Sequence, residues 1–371
     1  MIEDVPIISI NVKILKFWSF ILVHNWRRYI SIIPAMIMNV AQFLDMYFTT
    51  EPIDSIARNF YFVVLWFIAV MRALYLTANR RKFEVFMENL EYMYHEIKRD
   101  GEKPIVNLLN EVTNNARRIS KFNLAFAAFV STGFVLYPLF TGDRALPFGV
   151  TIPGVDKYAE PAYGIIYAWQ VIITPMGCCM YISFTSIVVG YMMFGTVAAQ
   201  YLQHRLRKLR EPGDTDRMVM MKIVWCVQYH RRLIRYTSQL NDLVTYVSFL
   251  EFVTFVATIC ALLFALNIVT TFQQMFIVST YIFMRVIQIF TMYWHANELS
   301  DQSTKVAIAA YDSPWVDFNV PARKALVFII LVAQKPLSIM VGNIYPMTMQ
   351  TFQSILNAAY SFFTILSQIY G

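Results

Sequence analysis

The chain has 371 residues, of which 57% are hydrophobic, 16% aromatic and 15% charged, with a formal net charge of +7. Soluble domains carry about 25% charged residues, and several apolar stretches here reach the ~20 residues that a bilayer-crossing helix needs. An ordinary soluble domain is therefore excluded, and the positive charge belongs to loops flanking membrane spans rather than to a nucleic-acid surface.

The N-terminus, MIEDVPIISINVKILKF, begins acidic and has no basic region running into an apolar block, so no signal peptide is expected. Seven apolar segments follow, at 29–48, 59–79, 122–140, 162–195, 244–268, 273–294 and 346–371. Segments 1–28, 80–121 and 196–243 hold four, nine and nine Lys/Arg, whereas 49–58, 141–161 and 269–272 hold one, two and none. The positive-inside rule puts the N-terminus in the cytosol, and seven crossings put the C-terminus outside. The expected fold is an all-α membrane protein with seven transmembrane helices of this inverted topology plus a cytosolic helical anchor region. The chain divides into 29–195 with the first four spans, 214–345 with the long fifth span, the sixth and the anchor helices, and 346–371 as the final helix, all within one unit, 1–371.

No glycine occurs between Gly213 and Gly342 and no proline between Pro212 and Pro314. Without breakers, one helix is expected from about 216 to 268, roughly 80 Å long, with a third to a half of it in the cytosol. Its lower part needs something to cover Met218, Met221, Val224 and Trp225. The stretch ALVFIILVAQK (325–335) is too short to span and is the expected partner in a cytosolic platform; a helix lying on the membrane surface is the alternative. Cys178, Cys179, Cys226 and Cys260 fall in spans or beside a basic loop, so no extracellular disulfide framework is expected. His24, His95, His204, His230 and His295 are dispersed without metal-ligand spacing, and no phosphate loop, G-x-S-x-G or CxxC occurs. Neither an enzyme nor a cofactor or metal is expected.

The final segment carries no Asp, Glu, Lys or Arg from Pro346 to Gly371, yet Gln350, Ser354, Asn357, Ser361, Thr364 and Gln368 recur at spacings of 4, 3, 4, 3 and 4. All six share one helix face. Such a stripe must face other helices or water, and the same residue types serve interhelical hydrogen bonding as well as a water-lined pore. Ile365 and Ile369, one turn apart beside it, would form a hydrophobic ring if repeated about a symmetry axis, which requires an oligomer. Glu251 and Arg285, in the inner halves of spans five and six, are expected to pair; Arg72, near the inner end of span two, is expected to snorkel.

ANELSDQS (296–303) with AYDSPW (310–315), the run PMTMQTFQSILNAAYSFFTIL (346–366), and the inverted seven-span layout resemble the insect odorant receptor family. The resemblance implies a subunit of a ligand-gated, non-selective cation channel in the plasma membrane of olfactory neuron dendrites, working as a heterotetramer with the olfactory co-receptor (Orco). Its partners would then be a small volatile odorant, that co-receptor, membrane lipid and permeating cations. The late helices' cytosolic ends would form the anchor where subunits meet, and the last helix would line the pore. Matched to ILSQI (365–369), the family's gate falls on Ile365, Gln368 and Ile369, with Ser361 and Thr364 also lining the pore. The co-receptor's long insertion between spans four and five is missing, which marks an odorant-binding tuning subunit.

The resemblance also puts the odorant site in the outer half of the bundle, among spans two to six. Helical spacing then selects Phe62, Leu65 and Trp66 on span two, Val130, Gly133 and Tyr137 on span three, Ile173, Met176 and Met180 on span four, and Phe276 and Thr280 on span six. Aromatic and methionine side chains suit an aromatic or heteroaromatic volatile. A G-protein-coupled receptor would have its N-terminus outside, and a secondary transporter would show internal repeats with broken helices. A gustatory receptor of the same superfamily would differ in the Tyr-Ser-Phe-Phe run.

Overall fold

The computed structural model describes residues 5–21, 26–49, 53–140, 146–269 and 271–370. Ten helices account for nearly all of it: α1 Ser9–Phe17, α2 Arg27–Phe48, α3 Ile53–Ala78, α4 Arg80–Asp100, α5 Lys103–Phe140, α6 Ala162–Arg207, α7 Asp216–Ile268, α8 Phe272–Tyr311, α9 Val320–Ala333 and α10 Met349–Tyr370. Between α9 and α10 lies a two-stranded antiparallel hairpin, β1 Met340–Val341 and β2 Tyr345–Pro346.

The uninterrupted helix expected after Pro212 is α7, 53 residues long. Its start is fixed by Thr215, whose side chain accepts a hydrogen bond from the Met218 amide at 3.4 Å. The same lack of breakers carries α8 past its expected end at 294, so ANELSDQS is helical rather than a connecting segment. There Gln203 of α6 donates to the Gln302 carbonyl and side-chain oxygens at 2.8 and 3.0 Å. The short α1 was not expected from hydropathy; Asn11 on it donates to Ser120 of α5 at 2.9 Å, with Val12 and Leu15 buried around it.

Five described helices are long and apolar enough to cross a membrane: α2, α3, α6, α7 and α8. With α5 and α10 they make the seven-helix membrane fold. Its centre is α6, buried along nearly its whole inner half and packed on α1, α3, α5, α7 and α8. One hydrophobic cluster fills the inner half of the bundle, around Phe86, Tyr191, Phe194 and Tyr236. A smaller one fills the outer half around Phe62, Trp66, Phe148 and Tyr281.

On the cytosolic side α9 packs against α8 and α7, starting at Asn319, whose side chain caps the Ala322 amide at 3.1 Å. It does not cover what it was expected to cover. Met218, Met221 and Val224 stay exposed, and so do Val327, Phe328, Leu331 and Val332 on α9 itself. Trp225 is covered instead by Tyr229, stacked at 5.0 Å, and by the Arg205 guanidinium 4.8 Å above its ring. The 3.6-residue period turns Ile223, Cys226 and Tyr229 inward and leaves the methionines on the far face.

Candidate functional site

Between α3, α5, α6 and α8 lies a cavity of about 220 Å³. Each helix offers one face. Residues 62, 65, 66 and 69 come from α3; 119, 123, 127 and 130 from α5; 174, 178, 181 and 185 from α6; and 280, 284, 287 and 291 from α8. Apart from the adjacent pair 65 and 66, these are steps of three and four, the spacing that keeps side chains on one side of a helix. Among the described residues α7 lines none of it, so the expected contribution of span five is absent.

The outer wall is aromatic. Tyr61 stacks on Tyr281 at 4.9 Å, and Phe62 meets Phe148 and Tyr281 edge-on at 5.1 and 5.6 Å. Trp66 reaches this group because position 177 is glycine: a Cβ there would stand 2.6 Å from the indole. Phe148 comes from the outer loop and is held by Gln170 of α6. Its amide donates to Gln170 Oε1 at 3.1 Å, while Gln170 Nε2 donates to its carbonyl at 2.9 Å. Asp45 of α2 ties the same loop down, accepting from Thr151 at 2.8 Å and from Lys157 at 2.7 Å.

The floor is polar and charged. Arg72, Glu251 and Arg285 are 0%, 2% and 1% exposed. Glu251 does not pair with Arg285 as expected; its Oε1 is bound by Nη2 of Arg72, which therefore does not snorkel. The other arm of Arg72 donates to the Tyr181 carbonyl at 2.7 Å and the Thr185 hydroxyl at 2.9 Å, with its guanidinium 4.4 Å above the Tyr181 ring. Burying two charges is favourable only when hydrogen bonds support the pair; α6 supplies two, both to Arg72, while Arg72 Nε and Glu251 Oε2 have no partner among the described residues. Arg285 donates through Nη1 to the Tyr181 hydroxyl and to Gln288 Oε1 at 3.2 Å, and Tyr181 in turn donates to Gln288 at 2.8 Å. Among the described residues Arg285 has no carboxylate partner.

Five expected odorant contacts line this cavity: Phe62, Leu65, Trp66, Val130 and Thr280. Five others do not meet there, and one cannot be placed. Ile173, Met176 and Met180 are buried on α6 one position away from the lining face, a rotation of about 100°. Phe276 is 66% exposed, a Cβ at Gly133 would touch nothing, and the side chain of Tyr137 lies outside the described residues. Missed were Tyr61, Phe148, Tyr181, Tyr281, Arg285 and Gln288. Carrying the α8 face inward from Thr280 by 4, 7 and 11 residues would have found Met284, Ile287 and Thr291.

On α10 the polar stripe faces away from the protomer. Gln350, Ser354, Asn357, Ser361 and Gln368 are exposed and Thr364 is half-buried, while Phe352, Ile355 and Ala359 are buried on the opposite face. The Ser354 and Ser361 hydroxyls donate to Gln350 and Asn357 carbonyls at 3.1 and 2.9 Å within the helix itself. Ile365 is 53% exposed; the side chain of Ile369 lies outside the described residues. The start of α10 is held by the hairpin before it. Gly342 has φ +59° and sits beneath Phe249, so close that a Cβ would stand 2.7 Å from the ring. Its amide donates to the Thr245 carbonyl of α7 at 3.1 Å, and Met349 donates to Asn297 of α8 at 3.3 Å.

A multi-pass helical membrane protein with a small-molecule-sized cavity is thus defined. The chain belongs to the insect odorant receptor family, since the family model described as 7tm Odorant receptor matches residues 53–360. It is 46% identical over 368 residues to odorant receptor 10 of Aedes albopictus, covering 99% of this chain and 98% of that one. It is 42% identical over 371 residues to odorant receptor 30a of Drosophila melanogaster, with 99% and 98% covered. In fold it is similar to the olfactory receptor OR5 from Machilis hrabei in complex with eugenol, with TM-score 0.82, 18% identity, and 98% and 97% of the two chains covered. The family is one of sensory receptors, not of enzymes, and its members bind odorants.

Proposed function

We propose that the chain is the odorant-binding subunit of a ligand-gated, non-selective cation channel, and that the cavity between α3, α5, α6 and α8 is its odorant site. The observation that carries this is a cavity of about 220 Å³ walled by Tyr61, Phe62, Trp66, Phe148 and Tyr281. It suits one small aromatic or heteroaromatic volatile. Burial of ~250 Å² of apolar surface at about 25 cal/mol per Å² supplies roughly 6 kcal/mol before the losses of binding, so apolar burial alone gives weak affinity and polar or stacking contacts must add to it.

The outward stripe on α10 supports a pore built from several chains. Polar groups on a membrane helix need water or protein beside them, and among the described residues no side chain of another helix bonds Gln350, Ser354 or Asn357, the Ser354 hydroxyl turning back to its own helix. Ser361, Thr364 and Gln368 would line such a pore, with Ile365 and Ile369 as its hydrophobic constriction. The exposed apolar residues of α7 and α9 at the cytosolic end support an anchor between subunits, the olfactory co-receptor being the partner. The protein would act in the plasma membrane of olfactory neuron dendrites.

The test is whole-cell current from cells expressing the chain with and without the co-receptor, G-protein signalling blocked, across an odorant panel. A rapid cation current requiring both chains and an odorant is the expected outcome. Loss of every response under the block would refute the channel.

A further inference from the structure

The cavity is chemically two-ended, and its floor contains a charge that the protein itself does not neutralise. Arg285 is 1% exposed and lines the cavity. Both hydrogen-bond partners it has, the Tyr181 hydroxyl and Gln288 Oε1, are taken by Nη1. Nε and Nη2, which together carry three of the five guanidinium N–H groups, have no partner among the described residues. As placed, the protein supplies none. Oε1 of Glu251 is bound by Arg72, and Oε2, itself without a partner, makes no bond to Arg285. Gln288 Oε1 already accepts from Tyr181 at 2.8 Å, so turning its amide would set two donors against each other. A buried charged donor without an acceptor is costly, more so than a neutral one.

We propose that Arg285 is a specificity-determining residue of this cavity, selecting ligands that turn an electron-rich end, an oxygen lone pair or an aromatic π face, toward the floor. This rests on the cavity being the odorant site. A guanidinium binds both kinds of partner, lone pairs through its N–H fork and π faces through its plane. The protein already uses the second mode next door, where Arg72 lies 4.4 Å from the Tyr181 ring and 4.9 Å from Phe184. The outer wall of Phe62, Trp66 and Phe148 admits any apolar body of the right size, so size is selected there and polarity at Arg285. A saturated hydrocarbon of the same shape would fill the space and leave the three N–H groups unmet.

Three ligands of one shape separate the two sources of electron density: acetophenone, isopropylbenzene and isopropylcyclohexane. Dose–response currents would be recorded from the chain with its co-receptor, as wild type, Arg285→Met, Arg285→Lys and Val130→Phe. In the wild type, acetophenone or isopropylbenzene, or both, should act at an EC50 at least about tenfold below isopropylcyclohexane. Arg285→Met should bring the three within about twofold by weakening the electron-rich members and sparing the saturated one. A gap between the first two identifies the lone pair, and one between the last two the π face. Equal wild-type potencies, no response to either electron-rich ligand, or ratios unchanged in Arg285→Met would overturn the proposal. Should Arg285→Met not reach the surface, Arg285→Lys decides: without the planar fork the ratio must fall, and an unchanged ratio overturns it. Val130→Phe narrows the cavity from α5 and tests the site itself. If it leaves every EC50 in place, the cavity is not the odorant site. If it shifts them all while Arg285→Met leaves the ratios alone, the site stands and the role of Arg285 falls.

Discussion

Polar groups are buried in the membrane-spanning part of this molecule in two quite different ways. At the cavity floor, Arg72, Glu251, Tyr181, Thr185, Arg285 and Gln288 come from four helices and satisfy one another within a single chain. On α10, Gln350, Ser354, Asn357, Ser361 and Gln368 come from one helix and point out of the chain. Lipid tolerates neither charge nor unmet donors; the first set finds most of its partners within the protomer, with three N–H groups of Arg285 left over among the described residues, and the second is completed by whatever lies alongside it. Intramembrane polarity by itself does not distinguish a binding site from an assembly surface. Where the partners come from does.

The sharpest way to break the comparison is to remove one member of the floor pair. Arg72→Met strands the Glu251 carboxylate, and the expected loss is about 3–5 kcal/mol of stability, read as a large fall in thermal midpoint of the detergent-purified protein. Arg72→Met with Glu251→Met should recover most of it; no recovery would mean the pair is not a unit. Gly177→Ala is next. The new methyl collides with Trp66, so about 1–3 kcal/mol of overpacking strain is expected, together with a raised EC50 as the indole is pushed toward the cavity.

Substitutions on the stripe should behave in the opposite manner. Ser361→Ala and Gln368→Leu are expected to change protomer stability by no more than about 0.5 kcal/mol, as exposed positions do, while altering cation permeability in the channel assay. A stability loss like that of Arg72→Met would show that the stripe is packing glue within the chain. Smallest of all is a cytosolic, water-exposed contact. The Lys208 hydrogen bond, and after it His204, hold the Glu102 carboxyl below its usual range. A depressed carboxylate contributes stability above its unfolded pKa and loses it as pH falls through the lowered one. Glu102→Gln should therefore cost about 0–1 kcal/mol at neutral pH and nothing in acid, by thermal melts at both.

How far each feature was legible depended on periodicity. α7 was readable to its ends because Gly and Pro are missing from Asp214 onward, and α10's stripe was readable because polar residues on an apolar helix mark a face. α6 was not. Its outer half is apolar on every side, so no moment tells Ile173, Met176 and Met180 from Thr174, Cys178 and Tyr181, and a one-residue error turns the choice by about 100°. The floor was misread because two arginines, Arg72 and Arg285, stand in the inner halves of different helices. Depth along the spans does not say which of α3 and α8 stands nearer α7 at that level.

The sequence by itself determined that this is a seven-helix membrane protein, which way it faces, that its last helix carries a polar stripe on one face, and to which family it belongs. These follow from hydropathy, loop charge, helical spacing and motif, all local along the chain. Only the tertiary structure decided that α7 stays out of the cavity, that Glu251 takes Arg72, and that Arg285 is left with three free N–H groups in the floor. Those outcomes depend on how four helices rotate and lean against one another, which is set by packing between residues about a hundred or more positions apart.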